Sequence, residues 1–130
     1  MRHKIPSLIA LLLAPLVTLP AAESKAPKKS NAVLTLALDA ATAGPGRFAA
    51  EEIRREAAAR GMTVVSADAK APAGAIRITL TVGAPTGTNA VAQSYGIRVR
   101  REDGHRTIAV RGADAVGAMY GGLEMAEAIR

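Results

Sequence analysis

Three sets of side chains in this sequence have types suited to chemistry: its carboxylates, a histidine at position 105, and a run of arginines near the carboxyl end. Two carboxylates flanking a sugar linkage can hydrolyse it, one as acid and one as base or nucleophile. The carboxylates here are Glu23, Asp39, Glu51, Glu52, Glu56, Asp68, Glu102, Asp103, Asp114, Glu124 and Glu127. They fall where helix faces, caps and turns already explain them, so no catalytic residue is expected. His3 lies in an amino-terminal targeting segment, and His105 flanks a turn with no second histidine to share a metal. Cysteine is absent, which removes thiolate metal sites, disulfides and a cysteine nucleophile. Neither a metal nor a cofactor is expected. Gly44-Pro45-Gly46 precedes a helical pattern but lacks the spacing and the Lys-Ser/Thr ending of a phosphate loop.

The arginines Arg98, Arg100, Arg101, Arg106 and Arg111 make one hairpin basic. Of these, Arg98, Arg100 and Arg111 are candidates for meeting an anionic glycan, and a solvated strand face is the alternative reading. Nucleic acid is not an expected partner. Without the targeting segment the charge falls to +4, from 15 basic and 11 acidic residues, and aromatics are 2% of the chain. Single-strand binders combine a basic groove with stacking aromatics.

These residues must be held by a small scaffold. Met1 to Lys4 is positively charged, Ile5 to Leu19 is apolar but interrupted, and Pro20-Ala21-Ala22 supplies small residues. That order is a secretory signal over 1–22, with an uncleaved anchor as the alternative. The apolar run is too short and broken for a stable membrane span. A periplasmic or secreted location follows. Residues 23–31 read as a polar linker, and residues 32–130 as one domain.

Within that domain, Val33–Leu38, Met62–Ser66, Ala75–Val82, Tyr95–Arg101 and His105–Arg111 read as strands. Ile76, Ile78, Leu80 and Val82 alternate with Arg77, Thr79 and Thr81, and Tyr95, Ile97 and Val99 are expected inward. Asp103-Gly104 predicts a tight hairpin turn. Arg47–Arg60 reads as a helix with Phe48, Ala49, Ile53, Ala57 and Ala58 on its buried face and Gly61 as its stop. Asp114 is the expected cap of a second helix, Ala115–Ile129. The expectation is an α+β fold of order β-α-β-β-β-β-α, with a mostly antiparallel sheet and two helices on one face.

The last helix is apolar nearly all round, with Val116, Tyr120, Leu123 and Glu127 along one stripe and Ala118, Gly122, Met125 and Ile129 along another. A helix apolar on two sides is normally buried on two sides. Met119, Tyr120, Leu123, Met125 and Ile129 are therefore candidates for a docking face, with the ordinary core of a small domain as the other reading.

Tyr95-Gly96-Ile97-Arg98-Val99, then Ile108-Ala109-Val110-Arg111-Gly112-Ala113-Asp114, then Gly117-Ala118-Met119-Tyr120-Gly121-Gly122-Leu123 carry a resemblance. The pattern resembles the accessory domain preceding the barrel in bacterial β-N-acetylhexosaminidases of glycoside hydrolase family 20. Related domains precede the barrels of α-glucuronidases. Gln93 and Gly96 depart from the pattern, which often has Glu and a larger residue there. The resemblance spans Ala32 to Arg130. It implies an α+β domain whose helices rest on a catalytic (β/α)8 barrel, either a domain or a subunit, and it places the catalytic carboxylates in that barrel. A free-standing exported module that binds glycan through its basic sheet face is the alternative function.

Overall fold

A computed structural model describes residues 30–67, 70–83, 91–102 and 104–130. The expected signal, residues 23–29 of the expected linker, Asp68 and Asp103 lie outside the described residues. The chain order is β1 (Val33–Leu38), α1 (Ala43–Ala59), β2 (Thr63–Ser66), β3 (Ile76–Val82), β4 (Tyr95–Glu102), β5 (His105–Gly112) and α2 (Ala115–Ile129). This is the expected α+β order.

The sheet is mixed, not mostly antiparallel. Its strand order is β2-β1-β3-β5-β4. The pairs β1–β2, β1–β3 and β3–β5 are parallel, and only β4–β5 is antiparallel. α1 supplies the crossover that a parallel β1–β2 pair requires. After β3 the chain passes to the far edge, runs along β4 and returns as β5 into the place beside β3. Residue alternation decides which face a side chain takes, and it is the same for parallel and antiparallel neighbours. The direction of pairing was therefore not readable from it.

α1 begins four residues before the expected Arg47. Asp39 accepts from the Ala41 amide, and the Thr42 hydroxyl donates to the Asp39 carbonyl at 2.6 Å. This turn leads directly into Ala43, and Pro45 falls in the first helical turn, where its missing N–H is harmless. The Gly-Pro-Gly run is thus part of the helix start. At the other end, Gly61 has φ +73°, the Gly61 amide donates to the Ala58 carbonyl, and the Met62 amide donates to that of Ala57. This is the double closure of a Schellman stop, with Met62 packed on the core.

Both helices lie on one face of the sheet. Leu34, Leu36, Ile78, Leu80, Ile108 and Val110 from the strands meet Ala49, Ala50, Ile53, Ala57, Met125 and Ala126 from the helices. The buried face of α1 is Gly46, Ala49, Ala50, Ile53 and Ala57. Phe48 and Ala58 were expected on it but are exposed. Positions 46, 49, 50, 53 and 57 form the i, i+3, i+4 stripe, and Phe48 sits a full residue's rotation away from it.

Small residues let α2 approach closely. A methyl group on Gly112 would sit 1.9 Å from the Ala118 amide nitrogen, and one on Gly122 would sit 2.7 Å from the Ala49 Cβ. Asp114 caps α2 by accepting from the Gly117 amide at 2.7 Å and ties down the Gln93 amide at 2.9 Å.

Candidate functional site

The described carboxylates do not converge. On α1, Glu51 pairs with Arg54 at 2.7 Å, Glu52 pairs with Arg55, and Glu56 bonds Arg130, which follows α2, at 3.2 Å. Arg130 holds the Glu56 carboxyl below the usual range, the hydrogen bond from its guanidinium acting first. Glu127 also pairs with Arg130, at 2.8 Å. Glu124 accepts from the Tyr95 hydroxyl, which raises the phenol above its ordinary value. Asp39 and Asp114 cap helices, and the Asp114 carboxyl is lowered by the amides of Gly117 and Gln93. His105 is half-buried at the start of β5, paired across the hairpin with Glu102. Among the described residues no group of three metal-ligating side chains gathers.

The candidate docking residues divide. Met125 is not on a surface, since it is buried in the core at 9% exposure. Met119 and Ile129 are half-buried and pack against that core. Leu123 is half-buried and Tyr120 is 44% exposed. The side of α2 that carries Ala118, Gly121, Gly122, Met125 and Ala126 is covered by the sheet and α1. The apolar side still open to solvent is the Val116–Tyr120–Leu123 stripe. On the neighbouring helix α1, Phe48 is 53% exposed.

The hairpin arginines also divide. Register pairs Arg101 with Arg106, and these share their strands' side with Ile97, Ile108 and Val99, which was expected inward but is 61% exposed. Arg98, Arg100 and Arg111 take the opposite side. There they line one concavity of about 470 Å³ with Thr79, Thr81, Thr107, Ala109, Gly96 and Glu102. The alternation in β3, β4 and β5 contained the signal for Thr79, Thr81 and Thr107, but only the β3–β5–β4 register puts them beside the arginines. The Thr81 hydroxyl donates to the Val110 carbonyl at 3.4 Å. Arg100 lies 3.5 Å from Glu102, both well exposed. Such a surface pair contributes little. Among the described residues Arg98 and Arg111 have no carboxylate partner.

No protein-family model and no curated protein matches the sequence. In fold, the chain is similar to a segment of a GH138 enzyme targeting pectin rhamnogalacturonan II. The TM-score is 0.57 at 17% identity. The likeness covers 75% of this chain but 13% of the enzyme's chain, so this chain spans a small part of that protein's length.

Proposed function

We propose that residues 32–130 form a non-catalytic accessory domain of a carbohydrate-degrading enzyme, which packs its helix layer against a catalytic domain. The observation that carries this reading is that most of the chain shares its fold with a small portion of a glycoside hydrolase. The carboxylates support it, because each described one is engaged in a cap, an ion pair or a hydrogen bond. The helix layer supports it too. On this layer Phe48 of α1 is 53% exposed and Tyr120 of α2 is 44% exposed, while Leu123 and Val116 are half-buried. Apolar side chains left open on the helix layer suit a surface that another body covers.

The finer reading follows the sequence resemblance: the covering body is a (β/α)8 barrel of β-N-acetylhexosaminidase type, and it carries the catalytic acid. The signal-like segment 1–22 places the assembly in the periplasm or outside the cell. Amino-terminal sequencing of the exported protein tests that location, with a new terminus near Glu23 as the expected result.

The functional test uses the purified chain. No turnover of an aryl N-acetyl-β-glucosaminide is expected, together with self-association in the ultracentrifuge and hydrophobic-dye binding. Both of the latter should fall in Phe48→Glu and Tyr120→Glu variants. Turnover by the chain alone, or a monomer that binds no dye, overturns the reading.

A further inference from the structure

The charge of this domain is sorted between its layers. On the helix layer, Arg54, Arg55 and Arg130 each answer a carboxylate. On the open face of the sheet, Arg98, Arg100 and Arg111 line a concavity that holds, among the described residues, one carboxylate, Glu102. Arg77 projects from β3 on the same side, in register with Thr107 of β5. A sheet built mainly of parallel pairs is ordinarily covered on both faces. Here the helices cover one face, and on the other the concavity along β3, β5 and β4 is floored by Thr79, Thr81, Thr107 and Ala109, with Ile97 of β4 also in its lining. Such a floor does not call for an apolar cover.

From this we infer that the open face is a binding site for an acidic glycan, whose carboxylate or sulfate groups are gripped by Arg98, Arg100 and Arg111 and whose hydroxyls meet the threonines. Guanidinium groups present paired donors that fit the two oxygens of a carboxylate or sulfate. Arg98 and Arg100 are two residues apart on one strand, which spaces their Cα atoms by about 7 Å along it. The cations are therefore set out as a row, suited to a chain with repeated charges. Threonine hydroxyls both donate and accept, as a polyhydroxylated ligand requires. Gly96 opens the row between Arg98 and Arg111, its register partner, and lets a ligand approach the backbone. Among the described residues no aromatic side chain lines the concavity, so they offer no platform for stacked bases. This face is opposite the helix layer, and ligand binding here stands or falls separately from docking there.

The test is titration of the chain, labelled for NMR, with hexagalacturonate, a heparin hexasaccharide, a neutral galactan hexasaccharide, single-stranded DNA and phosphatidylglycerol vesicles. The expected result is binding of the uronate or the sulfated sugar, with amide shifts confined to β3, β4 and β5 and affinity that falls with added salt. Which of the two binds more tightly identifies the acid group. Arg98→Gln with Arg111→Gln should weaken binding about tenfold or more, and Arg98→Lys with Arg111→Lys by less, since charge is kept and the paired donors are lost. Arg47→Gln with Arg54→Gln, which removes the same charge from α1, should leave affinity within about twofold. The proposal is overturned by absence of binding at low salt, by equal binding of the neutral sugar, by shifts on the helices, or by equal loss in the α1 variant. Tighter binding of DNA or vesicles than of either acidic sugar also overturns it.

Discussion

Along β3, Ile78 and Leu80 are fully buried beneath the helices, while Thr79 between them lines an open concavity. The same contrast runs across the sheet. The covered face is Leu, Ile and Val meeting alanines and glycines at close range. The open face is threonine and arginine with room for a ligand. One face therefore carries the stability of the domain, and the other is free to be specified by what it binds. The carboxyl-terminal hairpin and helix serve the first purpose more than their motif suggests. Gly112, Asp114, Gly117 and Gly121 belong to the motif, and each has a packing task. Gly112 admits α2, Asp114 caps it, Gly117 lies against the Ser94 carbonyl, and Gly121 against Val110 and Tyr95.

This contrast can be broken most severely at Gly112. Gly112→Ala drives a methyl group into the α2 backbone, which cannot rotate away as a side chain would. Its loss of stability should meet or exceed the upper end of the ~1–3 kcal/mol usual for overpacking, read by chemical denaturation. Next comes Leu80→Ala, which removes a fully buried side chain and should lose ~2–5 kcal/mol. Its neighbour across the sheet plane, Thr79→Ala, should stay within about 0.5 kcal/mol in the same assay. Similar losses at both positions would mean that the open face is packed in solution.

Thr35 sharpens the comparison from the other side. It alternates with Leu34 and Leu36, so it lies on the face opposite the helices, yet unlike Thr79 it is buried there, and its hydroxyl has no partner among the described residues. Thr35→Val keeps the shape and removes the unpaired hydroxyl. A gain of about 1 kcal/mol is expected, measured by thermal unfolding.

The smallest effect concerns acid. The folded Asp114 carboxyl titrates below its unfolded value because the Gly117 and Gln93 amides stabilise its charge. Its contribution is complete above the ordinary aspartate range and disappears as pH falls from there through the lower folded value. Asp114→Asn, which still caps, should flatten that acid limb of the stability curve, and an unchanged limb would assign it to other carboxylates such as Glu56.

Much of this was legible beforehand. The two helices, the Gly61 stop, the Asp114 cap, the alternation of β3 and the strand order along the chain all follow from local rules of backbone conformation and side-chain spacing. Arg98, Arg100 and Arg111 were legible as candidates, but not their separation from Arg101 and Arg106 as a site. Met125 looked like surface because α2 is apolar on every side, and nothing local says which side the sheet and α1 will cover. Phe48 looked like core because it is large and apolar, yet the small residues Ala49, Ala50 and Gly46 hold the contact face and leave it outside.

By itself, then, the sequence determined which residues form helices and strands and which side of each strand a residue takes, because these depend on propensities, caps and a fixed two-residue period. Only the tertiary structure decided that β5 inserts between β3 and β4, that three of the four strand pairs are parallel, and that three arginines and three threonines from separate strands share one hollow. Those outcomes depend on pairing between segments far apart in the chain, where the competing registers differ in packing against the helices and not in any local preference.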